Sequence, residues 1–381
     1  MIFLHTSDWH LGLTIRGGMS YADDQKYVLN SIAEIAKENE ADGILLSGDI
    51  FDKSIASPEA IHIYDDVMTN MCLEMGIPVY AVAGNHDGPE RVSQLGSLLS
   101  KSGFFIAGAL QREPRVVSAG DTDIYLLPWI STDKVRSVFP EKAEIINSLE
   151  DAYSVTLDYW RDSFTEGKKR ILVAHAFIVN AETSVSDRAA EVGRAAMIGS
   201  HVFHGFDYVA LGHLHGPQDV NEKIRYSGSP IPYSFGKEEK QEKSVTLIDT
   251  DTWEKKVIPL PQLHKRMTLK GTFEELMNAE YEDEVLDAYV RLEVLDTFVG
   301  MDSVAAFRER YRNLLEISGK DVEREDARIT MTVGELEEKD TDPEAVFMRY
   351  CEDMLEEEPK KHLRDLFKEA LKDYEKEVET R

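Results

Sequence analysis

The chain has 381 residues, 42% of them apolar and 30% charged, an ordinary soluble composition with room for two or three domains. Its net charge of −28 argues against holding nucleic acid through a broad basic face, so a polyanion would have to be met by bound cations or by a partner. No run of about 18 apolar residues offers a membrane span, Met1–Asp8 lacks the pattern of a secretory signal, and Cys72 and Cys351 are too far apart for a disulfide framework or a cysteine zinc motif, all of which predicts a cytoplasmic protein.

Short apolar runs rich in branched residues predict buried strands at Ile2–His5, Gly43–Ser47, Val79–Ala83, Ile124–Leu127, Arg170–Ala174 and Tyr208–Leu211. Between them, Lys26–Glu38 sets Val28, Ile32, Ile35 and Ala36 on one helical face, and Ser57–Met75 keeps the same period. The alternation predicts βα units and a layered α/β domain over residues 1–265, closed by the Pro-punctuated stretch Ile258–His264. Residues 266–338 read as a small α+β domain: strand Met267–Leu269, helix Phe273–Asn278, strand Ala288–Val294, helix Val304–Glu316, strand Ala327–Val333.

Residues 339–381 form an amphipathic tail. Asp342-Pro343 is a good helix start, with Val346, Phe347, Tyr350, Met354 and Leu355 at helical spacing. Glu356–Pro359 interrupts, and Leu363, Leu366, Phe367, Leu371, Tyr374 and Val378 line a second helix. Such a pair either packs on its own domain or docks on a partner's helices. Residues 266–381 carry 18 basic and 33 acidic side chains, net −15, against net −13 over residues 1–265, so the tail region is the more acidic per residue.

Five motifs stand where strands should end: Asp8-Trp9-His10, Gly48-Asp49-Ile50-Phe51-Asp52, Gly84-Asn85-His86-Asp87, His175, and Gly212-His213-Leu214-His215. Sites in open α/β sheets form at the carboxyl ends of strands. In Asp8-x-His10 and His213-x-His215 the paired side chains, two residues apart, point the same way in extended chain. Oxygen and imidazole donors without thiolate suit Mn, Fe, Zn or Ni. Six or seven such donors exceed what one ion needs, whereas two ions ~3.5–4 Å apart sharing a carboxylate account for them. Each motif alone is weak, but the set in this order is specific. His5, inside the first strand, reads as a core residue; His62, His201, His204, His264 and His362 read as surface or packing residues. Lys168–Arg170, Arg188 and Arg194 read as solvated surface before phosphate contacts. Gly236-Lys237 and Gly319-Lys320 lack the remainder of a nucleotide-binding loop, so ATP dependence would have to come from a partner.

Together these motifs resemble the five motifs of the calcineurin-like metallophosphoesterases. His5–Gly12, Gly48–Asp52 and Tyr226-Ser227-Gly228-Ser229-Pro230 are similar, within that superfamily, to the SbcD family of bacterial nuclease subunits, counterparts of the eukaryotic and archaeal double-strand-break repair nuclease. The likeness is sharp over residues 1–265 and one of position and character beyond. It implies a layered β-sandwich flanked by helices, an α+β capping domain that binds DNA, and a helical tail. It implies one metal held by Asp8, His10, Asp49 and His215, a second held by Asp49, Asn85, His175 and His213, and His86 as the catalytic histidine, steadied by Asp87 or the Asp52 region. Archaeal and eukaryotic relatives often carry His where this chain has Asp52. The metals implied are two Mn2+, with Mg2+ as the alternative. The activities implied are double-strand 3′–5′ exonuclease and single-strand or hairpin endonuclease, serving DNA repair, replication and recombination. The partner implied is the SMC-like ATPase SbcC, docked on the C-terminal helices. A homodimer is also implied, for which Tyr64–Met75 and Val92–Leu99 offer apolar residues. The alternative is a metallophosphoesterase acting on nucleotides or phosphoproteins, which would not need the parts after residue 266.

Overall fold

The computed structural model describes residues 1–14, 20–179, 181–184, 186, 197–296, 301–320 and 328–332. These fall into two compact units, one reaching to Met267 and one beginning at Thr268. Among the described residues no helix is long and apolar enough to cross a membrane.

The first unit holds twelve strands: β1 Ile2–Thr6, β2 Gly43–Ser47, β3 Val79–Val82, β4 Phe104–Ala107, β5 Arg115–Ala119, β6 Thr122–Leu127, β7 Lys169–His175, β8 Tyr208–Gly212, β9 Gln218–Asp219, β10 Ile224–Tyr226, β11 Ser244–Asp249 and β12 Lys255–Pro259. They form two six-stranded sheets, in the orders β12-β11-β1-β2-β3-β4 and β5-β6-β7-β8-β10-β9. Strands β1 to β4 are parallel, as are β6, β7, β8 and β10. The two sheets meet in one buried cluster, where Phe3, Leu45, Tyr80 and Val82 pack with Ile124, Leu126, Ile171, Val173 and Tyr208. Both faces of these central strands are covered, so they read as continuous apolar runs. This is the expected layered α/β sandwich.

Helix Ala22–Glu38 buries Val28, Ile32 and Ala36 of the face expected from its sequence, with Ile35 half-buried. Helix Pro58–Thr69 starts at the Ser57 cap, whose side chain accepts from the Ala60 N–H, and helix Leu149–Arg161 starts at a Ser148/Asp151 capping box. The six strands expected in this unit are present. Of the six that were not expected, β4, β5, β9 and β12 lie at sheet edges and β10 has three residues, while β11 is a buried strand of six that the sequence reading passed over. In Arg115–Ala119, for example, half-buried and exposed residues alternate, which leaves no apolar run to notice.

The second unit carries a sheet of order β13-β14-β15-β16, formed by β13 Arg266–Gly271, of which Thr268–Gly271 lie in this unit, β14 Tyr289–Val294, β15 Asn313–Lys320 and β16 Arg328–Thr332. Its helices include Phe273–Asn278 and Met301–Arg310. The expected helix Val304–Glu316 is corrected: it stops at Arg310, and Asn313–Glu316 opens strand β15. Leu314, Leu315 and Ile317 are buried, and β15 pairs with β14 in parallel, so tertiary pairing decides an apolar spacing that fits either period. The expected strand Ala327–Val333 is seen over Arg328–Thr332, and its end residues lie outside the described residues. So do residues 339–381, and with them the tail helices.

Candidate metal centre

Both sheets deliver their candidate ligands at the carboxyl ends of parallel strands. Asp8 and His10 follow β1, Asp49 follows β2, Asn85 and His86 follow β3, His175 ends β7, and His213 and His215 follow β8. Asp8, His10, Asp49, His175, His213 and His215 are buried, while Asn85 and His86 are half-buried.

The backbone is bent to achieve this. Asp8, His10, Asp49 and His213 have φ of 54°, 44°, 49° and 109°, four of the seven positive-φ residues other than glycine among those described. That region costs an L-residue energy and persists only where surrounding contacts enforce it. Here the Asp8 and His10 N–H groups donate to the Gly48 and Asp49 carbonyls at 3.0 and 2.9 Å. The Gln25 side-chain amide donates to the Trp9 and His10 carbonyls. Gly84 is obligatory for a further reason: a Cβ there would lie 2.1 Å from Asp49 Oδ1.

The donor atoms converge. Asp8, His10 and His215 offer ligand atoms within 4.8 Å of one another, as do His10, Asp49 and His86, and Asp8, Asp49 and His175. His10 Nε2 faces His215 Nε2 at 3.1 Å. On the other side Asn85 Oδ1 lies 2.9 Å from His175 Nε2 and 3.1 Å from His213 Nδ1, with the two imidazole nitrogens 3.3 Å apart. Asp49 stands between the two groups, its Oδ2 being 3.4 Å from His175 Nε2 and 3.7 Å from His10 Nε2. The His175 Nδ1–H donates to the Ser47 carbonyl at 2.9 Å, which turns Nε2 inward. Trp129 stacks on His213 at 5.5 Å and walls that side.

The electrostatics of this cluster call for cations. Burial pushes the Asp8 carboxyl up to about 8, with Asp49 adding to the shift. Burial also opposes ionisation of Asp49, yet the His175 imidazole holds it well below the usual carboxylate range. His175 in turn is raised to about 9, since the Asp49 charge outweighs its burial. Burial drives His10 well below its ordinary value and His213 down to about 3. His10 Nδ1 is buried without a hydrogen-bond partner. Facing imidazole nitrogens, two carboxylates and an amide oxygen in a largely buried cluster form a donor set that fits two divalent ions.

His86 stands beside this set. Its Nδ1 donates to the Asp52 backbone carbonyl at 2.7 Å, and its Nε2 lies 4.0 Å from Asp49 Oδ2. The Asp52 carboxylate lies 3.9 Å from both His86 Nδ1 and His10 Nδ1. Asp87 accepts the backbone N–H groups of Ile50, Phe51 and Gly84 at 3.1, 2.9 and 2.8 Å, bracing two loops. Burial, with the Asp49 charge, raises Asp87 to about 6.

His5 is a satisfied core residue between Tyr208, Leu211 and Ser47. His62, His201 and His204 are exposed, His264 pairs with Asp24, and His362 lies outside the described residues, as do Arg188 and Arg194. Lys169 is engaged by Asp121 and Asp251, and Lys168 by the Gly120 carbonyl. The sequence reading missed Tyr233, whose hydroxyl donates to the Trp9 carbonyl at 2.5 Å with its ring edge-on to His10 and His215. It also missed the buried pair Glu238–Lys243, hidden in the charged run Lys237–Lys243.

Residues 1–217 match the family model described as calcineurin-like phosphoesterase, and residues 264–354 match that described as type 5 capsule protein repressor C-terminal domain. The chain is similar to the SbcD subunit of the nuclease SbcCD from Staphylococcus saprophyticus, 30% identical over 84% of this chain and 85% of the relative. It is similar also to that of Staphylococcus epidermidis, 29% identical over 84% and 85%. Among solved structures, a dimetal phosphatase from Danio rerio shares 13% identity and a TM-score of 0.36, over 59% of this chain and 86% of that one.

Proposed function

The chain belongs to the calcineurin-like phosphoesterase family and, within it, with the SbcD nuclease subunits; from that premise we propose that it hydrolyses DNA phosphodiesters at a dimetal centre, as the nuclease subunit of a complex with an SbcC-type ATPase. The observation that carries the reading is the Asp49 carboxylate standing between two groups of donors, with His86 beside it. Asp8, His10, Asp49 and His215 would hold one ion, and Asp49, Asn85, His175 and His213 the other. Two divalent ions, Mn2+ with Mg2+ as the alternative, would neutralise charge on the phosphodiester and supply a water-derived nucleophile at neutral pH.

The remaining work falls to the chain. The Asp52 carbonyl accepts the His86 Nδ1–H, so Nε2 is the nitrogen that faces the cluster. The leaving sugar oxygen would be a strongly basic alkoxide unless protonated as its P–O bond breaks; His86, entering as the imidazolium, would give it the Nε2 proton and be left neutral, with its remaining proton on Nδ1. Asp87 holds the Asp49 and His86 loops in register through three backbone amides.

With a net charge of −28 the surface repels DNA, which supports a subunit that shares DNA binding with a partner. Residues 266–338 serve as the capping domain on DNA and residues 339–381 as the docking tail for the ATPase. Leu73 in Tyr64–Met75 and Leu95 and Leu98 in Val92–Leu99 are exposed, which suits a homodimer face. The reading places the protein in the cytoplasm, in DNA repair, replication and recombination, as a double-strand 3′–5′ exonuclease and a single-strand and hairpin endonuclease. Purified chain with MnCl2 is expected to degrade linear duplex and single-stranded DNA and to leave a panel of phosphomonoesters largely intact. The reverse preference would establish a phosphatase acting on nucleotides or phosphoproteins instead.

A further inference from the structure

The segment between β10 and β11 encloses an ion pair. The Glu238 side chain is 0% exposed and that of Lys243 1%. Glu238 Oε2 accepts from Lys243 Nζ at 3.0 Å and from the Tyr233 N–H at 2.9 Å. Its Oε1 accepts the hydroxyls of Ser234 at 2.5 Å, of Ser184 at 3.1 Å and of Ser186. Lys243 also donates to the His215 carbonyl at 2.8 Å and to the Ser229 hydroxyl at 2.9 Å. Ser186 Oγ in turn lies 2.6 Å from His215 Nδ1.

The direction of these bonds follows from what each group can do. An ionised carboxylate only accepts, so Ser186 gives its one O–H to Glu238. Its oxygen then accepts the N–H of His215 Nδ1. A neutral imidazole has one N–H, so His215 Nε2 is left as a lone pair, facing His10 Nε2 across 3.1 Å. His215 is thereby held twice by one buried pair, its ring by Glu238 through Ser186 and its carbonyl by Lys243. A buried ion pair is poor value as a stability device, because desolvation cancels most of the attraction. Its location behind a candidate ligand gives it another use.

We propose that Glu238, acting through Ser186, is the positioning residue for His215: it fixes the tautomer and aim of Nε2, and so sets the affinity of the ion at Asp8, His10 and His215 while touching neither ion. The inference rests on the dimetal reading above. Partners that hydrogen-bond a ligating histidine govern metal affinity by about 10–100-fold.

The test is a MnCl2 titration of the full chain at fixed pH, with free Mn2+ followed by electron paramagnetic resonance and circular dichroism melts run alongside. Wild type is expected to bind two ions. Ser186→Ala should weaken one of them about 10–100-fold and leave the other and the metal-free melt unchanged. Ser186→Thr, which restores the hydroxyl, should restore the affinity. Glu238→Gln should reproduce the loss at one site; if it fails to fold because Lys243 is left unpaired, the Ser186→Ala and Ser186→Thr comparison decides. Two ions at wild-type affinity in folded Ser186→Ala, or equal weakening of both together with a lowered melt, would overturn the proposal. Wild type that binds no manganese would instead overturn the dimetal reading, and this inference with it.

Discussion

His86 is tied to Asp49 at two points: its backbone N–H donates to Asp49 Oδ1 at 2.9 Å, and its Nε2 stands 4.0 Å from Asp49 Oδ2. The main chain of His86 therefore aims the carboxylate that stands between the two donor groups, while its ring, held at Nδ1 by the Asp52 carbonyl, turns Nε2 to the cluster. Replacing the ring leaves the first contact in place. His86→Ala should keep about two ions per chain and lose cleavage by about 10²–10⁴-fold, the usual worth of a positioned proton donor. Elemental analysis beside single-turnover kinetics checks this, and lost metal with retained cleavage would make His86 a ligand instead.

Asp49 is within 3.7 Å of imidazole nitrogens in both groups, whereas His10 belongs to one. Asp49→Asn removes a negative charge from both ion positions, so it should lower the affinity of both. His10→Ala should lower mainly one. Titration of each variant with manganese compares the two stoichiometries. Asp49→Asn that still bound two ions at wild-type affinity would exclude the shared position.

Proton linkage gives a third expectation. In the metal-free protein Asp8 titrates at about 8 and His175 at about 9, so both carry a proton at pH 7. Ligation needs both without it, so metal uptake releases protons and manganese affinity should rise from pH 6 to pH 8. Both groups are raised in the folded state, so each binds protons more tightly there than in the unfolded chain. Their contribution to metal-free stability is full at low pH and is lost as pH rises through about 8 and about 9. Asp49, held low, acts only at acid pH, outside that window. The melting temperature of chelator-treated protein should therefore fall between pH 6 and pH 9 more than that of the manganese-loaded protein. Calorimetry in buffers of different ionisation heat counts the protons, and uptake without release would refute the linkage.

The candidate ligands were legible because each motif is local: a buried strand, a turn, then Asp, Asn or His. Folding brings the five strand ends together without any further signal. What the sequence hid was of three kinds. The Asp52 contribution to His86 comes from its main-chain carbonyl, which no side-chain type announces. Glu238 sits in Lys237-Glu238-Glu239-Lys240, a composition that reads as solvated surface until the chain wraps over it. Strand β15 carries Leu314, Leu315 and Ile317, a spacing that suits a helix face equally well, and only pairing with β14 and β16 decides it.

The tail supplies the last expectation, from sequence alone. Residues 342–381 carry apolar residues at helical spacing in two runs, within the acidic last third of the chain. Helices of this length are marginal in water unless an apolar face is packed, so the stripes need a covering surface, either this chain's own or a partner's. If the surface belongs to the ATPase, a chain truncated after Asp340 should fold, load metal and cleave single-stranded DNA with manganese at roughly the full-length rate. Co-purification with the ATPase and ATP-stimulated digestion of duplex ends should be lost together, because both depend on the same docking contact. If the surface is the chain's own, truncation strips the cover from buried apolar groups, and the melting temperature should drop by several degrees with the complex weakened only indirectly. Pull-down of the truncated chain with the ATPase, beside its circular dichroism melt, separates the two: a retained complex rejects the docking role, and a lost complex at an unchanged melt establishes it.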